Sequence, residues 1–135
     1  MEDSHEKKAL LIADDAACVR SSLVDMLKDL IERMDVDVDV LEAGDGHAAL
    51  MIVDDQHDRL IAVLTDMQMP GANGFEVYEE ANKHGIPTAI ISTAPKISLP
   101  DGDYTYLDKL GEISTVKEWM TRCLGALETD PEAEV

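Results

Sequence analysis

Three stretches of this chain are almost unbroken apolar runs: Ala9–Ala13, Leu60–Thr65 and Thr88–Ser92. Runs this short and this apolar suit strands covered on both faces of a sheet. Two other stretches read differently. Val36-Asp37-Val38-Asp39-Val40 alternates strictly between apolar and acidic residues, and Tyr104-Thr105-Tyr106-Leu107 has no uniform apolar character. Both suit edge strands with one face less buried. Between these segments the apolar spacing becomes helical. Val19, Leu23, Met26/Leu27, Leu30 and Met34 share one helix face. Asp45 is placed to cap a short helix running through about Val53. Phe75, Val77, Tyr78 and Ala81 fit a third helix opening at Gly74, with Gly85 to end it and Pro87 to block its continuation. Thr115-Val116-Lys117-Glu118 reads as a capping box. It leads an apolar stripe of Val116, Trp119, Met120, Cys123, Leu124 and Leu127.

Alternating strands and helices predict an α/β fold with a parallel sheet. Placing the first, third and fourth strands centrally, and the second and fifth at the edges, gives a doubly wound five-stranded sheet of order 2-1-3-4-5. One crossover breaks the pattern. Ala94–Asp103 contains Pro95, Pro100 and Gly102, and prolines so spaced leave room for about one helical turn. The fourth helix is therefore expected to be absent or vestigial.

The chain has 135 residues, the size of one domain, and 45% of them are hydrophobic, enough for a real core. With 11 basic and 29 acidic residues, its formal charge is -18. That balance argues against nucleic acid and anionic membranes as direct partners, since both are polyanions. No apolar stretch is long enough to span a bilayer, and the N-terminus lacks the apolar centre of a signal peptide. Residues 1–7 and the acidic tail 128–135 read as disordered flanks of a domain at 8–127. Cys18 and Cys123 have no metal-ligand spacing. On parallel helices they would stand roughly 10 Å apart along the axes, too far for a disulfide, which fits the reducing cytoplasm. His5, His47, His57 and His84 are scattered and read as exposed polar residues with no metal role; Asp54-Asp55, after a helical segment, reads as a solvated face.

The chemistry gathers at strand ends. Asp66 closes the third apolar run and is followed by the turn-rich Met67-Gln68-Met69-Pro70-Gly71-Ala72-Asn73. Asp14-Asp15 closes the first run. If those strands are parallel neighbours, their carboxylates converge at the sheet edge where α/β folds bind ligands. Three converging carboxylates suit a hard cation, with one oxygen available as a nucleophile.

In order along the chain, four features resemble the receiver domain of two-component response regulators, the chemotaxis-regulator-like family. They are Asp14-Asp15; Asp66 with Met69, Pro70 and Gly74; Thr93-Ala94 after Ile90-Ile91-Ser92; and Lys109 just after the fifth strand. The resemblance covers roughly Lys8 to Leu127. It implies that Asp66 accepts a phosphoryl group from a histidine kinase or histidine phosphotransfer protein in a Mg²⁺-dependent reaction. Asp15, Asp66 and the Gln68 carbonyl would ligate the Mg²⁺, with Asp14 acting mainly through a metal-bound water. Lys109 and Thr93 would contact the phosphoryl oxygens. Thr93 and Tyr106 would form the switch that presents a changed surface to a downstream protein target. The activity implied is self-phosphorylation with autodephosphorylation, not conventional turnover, in a stand-alone cytoplasmic signalling switch or phosphorelay intermediate.

The sequence departs from the family in two places. Leu110 stands where a proline usually follows the lysine, and the crossover before the fifth strand is shortened. These features suit the alternative of a phosphorylation-independent pseudo-receiver module. The complete set Asp14, Asp15, Asp66, Thr93 and Lys109 argues for the active switch. A Mg²⁺-dependent phosphatase of the haloacid-dehalogenase type is disfavoured, because Gln68 stands where that signature needs a second aspartate.

Overall fold

The structure is a computed structural model that describes residues 7–92, 105–108 and 113–128. In chain order the described elements are β1 (Lys8–Ala13), α1 (Ala17–Met34), β2 (Val38–Ala43), α2 (Gly46–Gln56), β3 (Leu60–Asp66), α3 (Gly74–Lys83), β4 (Thr88–Ser92), β5 (Tyr106–Asp108) and α4 (Ile113–Glu128). The strands form one parallel sheet of order β2-β1-β3-β4-β5, as the apolar runs predict. The crossover at 93–104 lies outside the described residues, and with it the expected loss of a fourth helix.

Successive side chains of a strand point to opposite faces, so each central strand feeds two cores. Leu10 and Ile12 of β1 join Leu64 and Ile91 beneath α1 and α4, where Leu27, Trp119, Met120 and Leu124 close the layer. Ala9, Leu11 and Ala13 face the other way and pack with Val63 against Val53 of α2 and Val77 and Ala81 of α3. Fully burying a leucine such as Leu27 or Leu64 contributes about 1.5–3 kcal/mol.

β2 begins two residues later than the Val36–Val40 alternation suggests. Asp35 ends α1 in the left-handed conformation (φ 57°), and the Val36 N–H still bonds to Ile31 O, 3.3 Å away. Pairing starts at Lys8↔Val38 and runs to Ala13↔Ala43, so the length of β1 fixes where β2 begins and ends. β5 likewise shifts from the expected 104–107 to Tyr106–Asp108, where it pairs with Ile90–Ser92. Thr115 does not cap α4: the helix opens at Ile113, leaving Thr115 in its first turn.

The other boundaries follow their caps. Asp45 Oδ1 accepts the Ala48 N–H at 2.7 Å and starts α2. Asn73 and Glu76 form a reciprocal capping box that starts α3. Gly85, at φ +72°, turns the chain out of α3 toward Pro87. At the opposite end of the sheet, Lys7 pairs with Asp37 and Asp39 at 3.0 and 3.3 Å, and Arg59 pairs with Asp39 at 3.1 Å. This network ties the starts of β1, β2 and β3 together. Among the described residues, no helix is long and apolar enough to cross a membrane.

Candidate functional site

β1 and β3 are hydrogen-bonded neighbours with Ala13 opposite Thr65. The next residues, Asp14 and Asp66, therefore leave the sheet side by side. Carboxylate oxygens of Asp14, Asp15 and Asp66 all lie within 4.8 Å of one another. Asp14 is fully buried, Asp66 part-buried and Asp15 exposed, so the cluster opens to solvent on one side.

Asp14 and Asp66 are held by local chain geometry. Asp14 Oδ1 accepts the Ala16 N–H at 2.9 Å, and the Asp14 N–H bonds to Ala43 O at 3.1 Å. Asp66 Oδ1 accepts the Met67 N–H at 2.9 Å. Beneath it the buried Thr65 hydroxyl donates to Asp66 O at 3.0 Å. The loop from Met67 to Asn73 is fastened at both ends. Gly74 N–H bonds to Met67 O at 2.7 Å, and Gly46 N–H to Pro70 O at 2.9 Å. A Cβ on Gly74 would stand 2.3 Å from Asp66 O, so only glycine lets α3 begin this close to the strand end.

Arg20 is a supporting residue that the sequence reading missed. From the first turn of α1, its Nη1 donates to Asp14 O at 2.6 Å, and its Nε reaches Glu42 Oε1 at 3.1 Å. The guanidinium thus joins the ends of β1 and β2 behind the acidic cluster. Its sequence signal is weak: one arginine near the start of a helix whose first turn holds no acidic residue.

Of the other sequence-predicted residues, Gln68 lies exposed on the loop after Asp66. Thr93 and Lys109 lie outside the described residues, as does Leu110; β4 and β5 end at Ser92 and Asp108, the positions directly before Thr93 and Lys109. Tyr106 is part-buried, and its ring meets Phe75 of α3 edge-on, with centroids 6.2 Å apart and planes at 73°. Three residues along α3, the Tyr78 hydroxyl accepts the Thr105 N–H at 3.1 Å. The start of α3, next to Asp66, is therefore in direct contact with β5.

The donor set fits a hard divalent cation: three carboxylates, all oxygen, gathered at one open sheet edge. The model of the response regulator receiver domain matches residues 10–101. The chain belongs to the response regulator receiver family. This receiver domain is 26% identical to the receiver domain of the hybrid histidine kinase CckA, over 86% of this chain and 98% of that one, with a TM-score of 0.68. Two further solved structures share the fold. The response regulator TrrA from Thermotoga maritima, solved in complex with Mg(2+)-BeF, is 24% identical over 86% of this chain and 98% of that one, with a TM-score of 0.67. A response regulator receiver domain protein from Clostridium thermocellum is 20% identical over 90% of this chain and 97% of that one, with a TM-score of 0.64. No individually curated relative matches the chain at a significant level. As a receiver domain, the protein belongs to two-component signalling, in which such domains work with histidine kinases or phosphotransfer proteins.

Proposed function

We propose that this receiver domain accepts a phosphoryl group on Asp66 from a phosphohistidine donor and acts as a signalling switch or phosphorelay intermediate. The observation that carries the proposal is the convergence of Asp14, Asp15 and Asp66 within 4.8 Å at the carboxyl edge of the sheet. Asp15, Asp66 and the Gln68 carbonyl would hold Mg²⁺, with Asp14 acting through water. Bound there, Mg²⁺ supplies positive charge against the phosphoryl oxygens.

The Met67 N–H orients the Asp66 carboxylate by holding Oδ1. A carboxylate oxygen attacks phosphorus in line with the bond to the donor nitrogen. The new O–P bond forms as the P–N bond breaks, and the leaving imidazole takes a proton from solvent. Buried Asp14, anchored by Ala16 and Arg20, sets a third carboxylate beside Asp15 and Asp66, where it would accept from a metal-bound water. Lys109 and Thr93 would contact the phosphoryl oxygens, as the family resemblance implies. Tyr106 against Phe75 would carry the changed packing toward β5 and the surface read by a downstream protein.

The test is incubation with acetyl phosphate and Mg²⁺ followed by intact-mass analysis. Wild type gains one phosphoryl group, and Asp66→Asn gains none. Failure of wild type to gain mass would leave the pseudo-receiver reading in its place; undiminished labelling of Asp66→Asn would remove Asp66 as the acceptor.

A further inference from the structure

Two histidines that look scattered in sequence meet in the fold. His57 and His84 are the residues directly after α2 and α3, and their rings stack with centroids 4.1 Å apart and planes at 17°. Around them stand Asp54 in the last turn of α2 and Glu80, one turn before His84 on α3. Ligand atoms of Asp54, Glu80 and His84 all lie within 4.8 Å of one another. The cluster is remote from the phosphoacceptor. α3 starts beside Asp66 and runs about 15 Å to its far end before His84 is reached.

We infer that Asp54, Glu80 and His84 form a second divalent-cation site, one for a zinc-class ion. Three features of the local chemistry converge on this. First, one imidazole nitrogen and two carboxylates are a donor set suited to Zn²⁺ and its transition-metal neighbours, whereas the all-oxygen cluster at Asp66 suits Mg²⁺. The two carboxylates and a neutral imidazole also balance a divalent charge. Second, the imidazole is positioned. His57 lies flat against His84, and His57 Nδ1 sits 3.0 Å from the backbone oxygen of Asp54. The ring that steadies one ligand is thus anchored to the residue that supplies another.

Third, the acids sit where a helix disfavours them. The C-terminal end of a helix carries partial negative charge, which cations stabilise and carboxylates oppose. The last turn of α2 holds Asp54 and Asp55 and no basic residue. Glu80 is paired with Lys83 through Oε1 at 3.4 Å, while its Oε2 lies 3.7 Å from His84 Nε2. A cation between Asp54, Glu80 and His84 would offset both helix ends at once and join α2 to α3. Asp54 and His84 are exposed and Glu80 is part-buried, so water can reach the cluster to complete the coordination.

The full chain, freed of metal and then saturated with Mg²⁺, is titrated with zinc chloride by calorimetry. One equivalent of Zn²⁺ binds to wild type and to Asp66→Asn alike. His84→Ala and Glu80→Gln each weaken that binding by about tenfold or more, the scale seen even for residues that only orient metal ligands. All three variants alter exposed or part-buried residues, and circular dichroism verifies their folding. Replacing Zn²⁺ with Co²⁺ gives visible absorption that His84→Ala removes and Asp66→Asn keeps. The inference is overturned if wild type binds no Zn²⁺ under these conditions. It is equally overturned if His84→Ala and Glu80→Gln bind as wild type does, or if Asp66→Asn alone abolishes binding.

Discussion

Replacing Gly74 with alanine tests how tightly α3 is docked on the end of β3. The added Cβ would stand 2.3 Å from Asp66 O and 2.9 Å from Met67 Cα, both backbone atoms that no side-chain rotation can move aside. Cβ contacts under 3.0 Å are essentially never seen, so the helix start and the strand end must part by the difference between 2.3 and 3.0 Å, roughly 0.7 Å. The Gly74 N–H to Met67 O bond, 2.7 Å long, then stretches toward the limit of a useful hydrogen bond. Overpacking of this kind costs about 1–3 kcal/mol, and the weakened bond about 0.5–1.5 kcal/mol. Alanine recovers up to about 1 kcal/mol through its helix propensity. The net expectation is a loss of about 0.5–4.5 kcal/mol, or a fall of roughly 2–16 °C in Tm. Urea unfolding followed by circular dichroism reads the loss as a lower midpoint at unchanged slope. Because Asp66 itself must shift, its phosphorylation by acetyl phosphate should slow by about tenfold or more. Two other glycines act as controls. Gly85→Ala strains a φ of +72° in open space and costs about 1 kcal/mol without slowing phosphorylation. Gly125→Ala, inside α4 with nothing within 4 Å of the new Cβ, gains about 0.5–1 kcal/mol. A Gly74→Ala protein that unfolds at the wild-type midpoint and phosphorylates at the wild-type rate would refute the close-docking argument.

Three further outcomes are expected. Arg20→Met removes the 2.6 Å bond to the Asp14 carbonyl and the contact with Glu42; it should cost about 1–2 kcal/mol in urea and weaken Mg²⁺ binding measured by calorimetry, and unchanged values of both would dismiss Arg20 as a support. Asp39 is held below the usual carboxylate range, chiefly by its hydrogen bond from Arg59, against the opposing effect of burial and with help from Lys7. Its contribution is therefore present above the unfolded-state value near pH 4 and is lost as pH falls through the lowered folded-state value, so urea midpoints at neutral and acid pH should lie closer together in Asp39→Asn than in wild type. Burial pushes the Cys123 thiol up to about 11, while Cys18 is exposed, so a thiol reagent at pH 8 should modify Cys18 well before Cys123; mass mapping that finds the reverse order would contradict the packing of α4.

The central strands were legible because burial on both faces leaves little choice of residue. Ala9–Ala13, Leu60–Thr65 and Thr88–Ser92 announce themselves by composition alone, and the less apolar strands mark the two edges, an assignment that fits the order 2-1-3-4-5 of doubly wound sheets. Asp14, Asp15 and Asp66 were legible for the same reason, since a carboxylate at the end of a buried run has little structural purpose. The edge strand was placed too early because alternation shows that a segment is half-buried and not where its pairing begins; the register with β1 decides that. Thr115 misled because a capping box in sequence is equally compatible with the first turn of a helix already begun at Ile113. Arg20 and the stacked pair His57–His84 depend on contacts between distant segments. Nothing in the local pattern marks such residues until the helices are docked.

The two edges of the sheet bear on how copies of this chain behave in a crowded solution. Among the described residues β2 is paired on one side only, by β1, and its other side is the kind of template along which a second molecule could extend the sheet. Asp37 precedes it and Asp39 and Glu42 lie on it, paired with Lys7, Arg59 and Arg20, and a second molecule docking on this edge would have to crowd or break these ion pairs. β5 guards the opposite margin by brevity, with only Tyr106–Asp108 paired among the described residues. Self-association through β2 should therefore be suppressed while its acids are ionised and should emerge in acid or high salt. Under those conditions light scattering should rise above its value at neutral pH and low salt, and an unchanged signal would argue against β2 as an association edge.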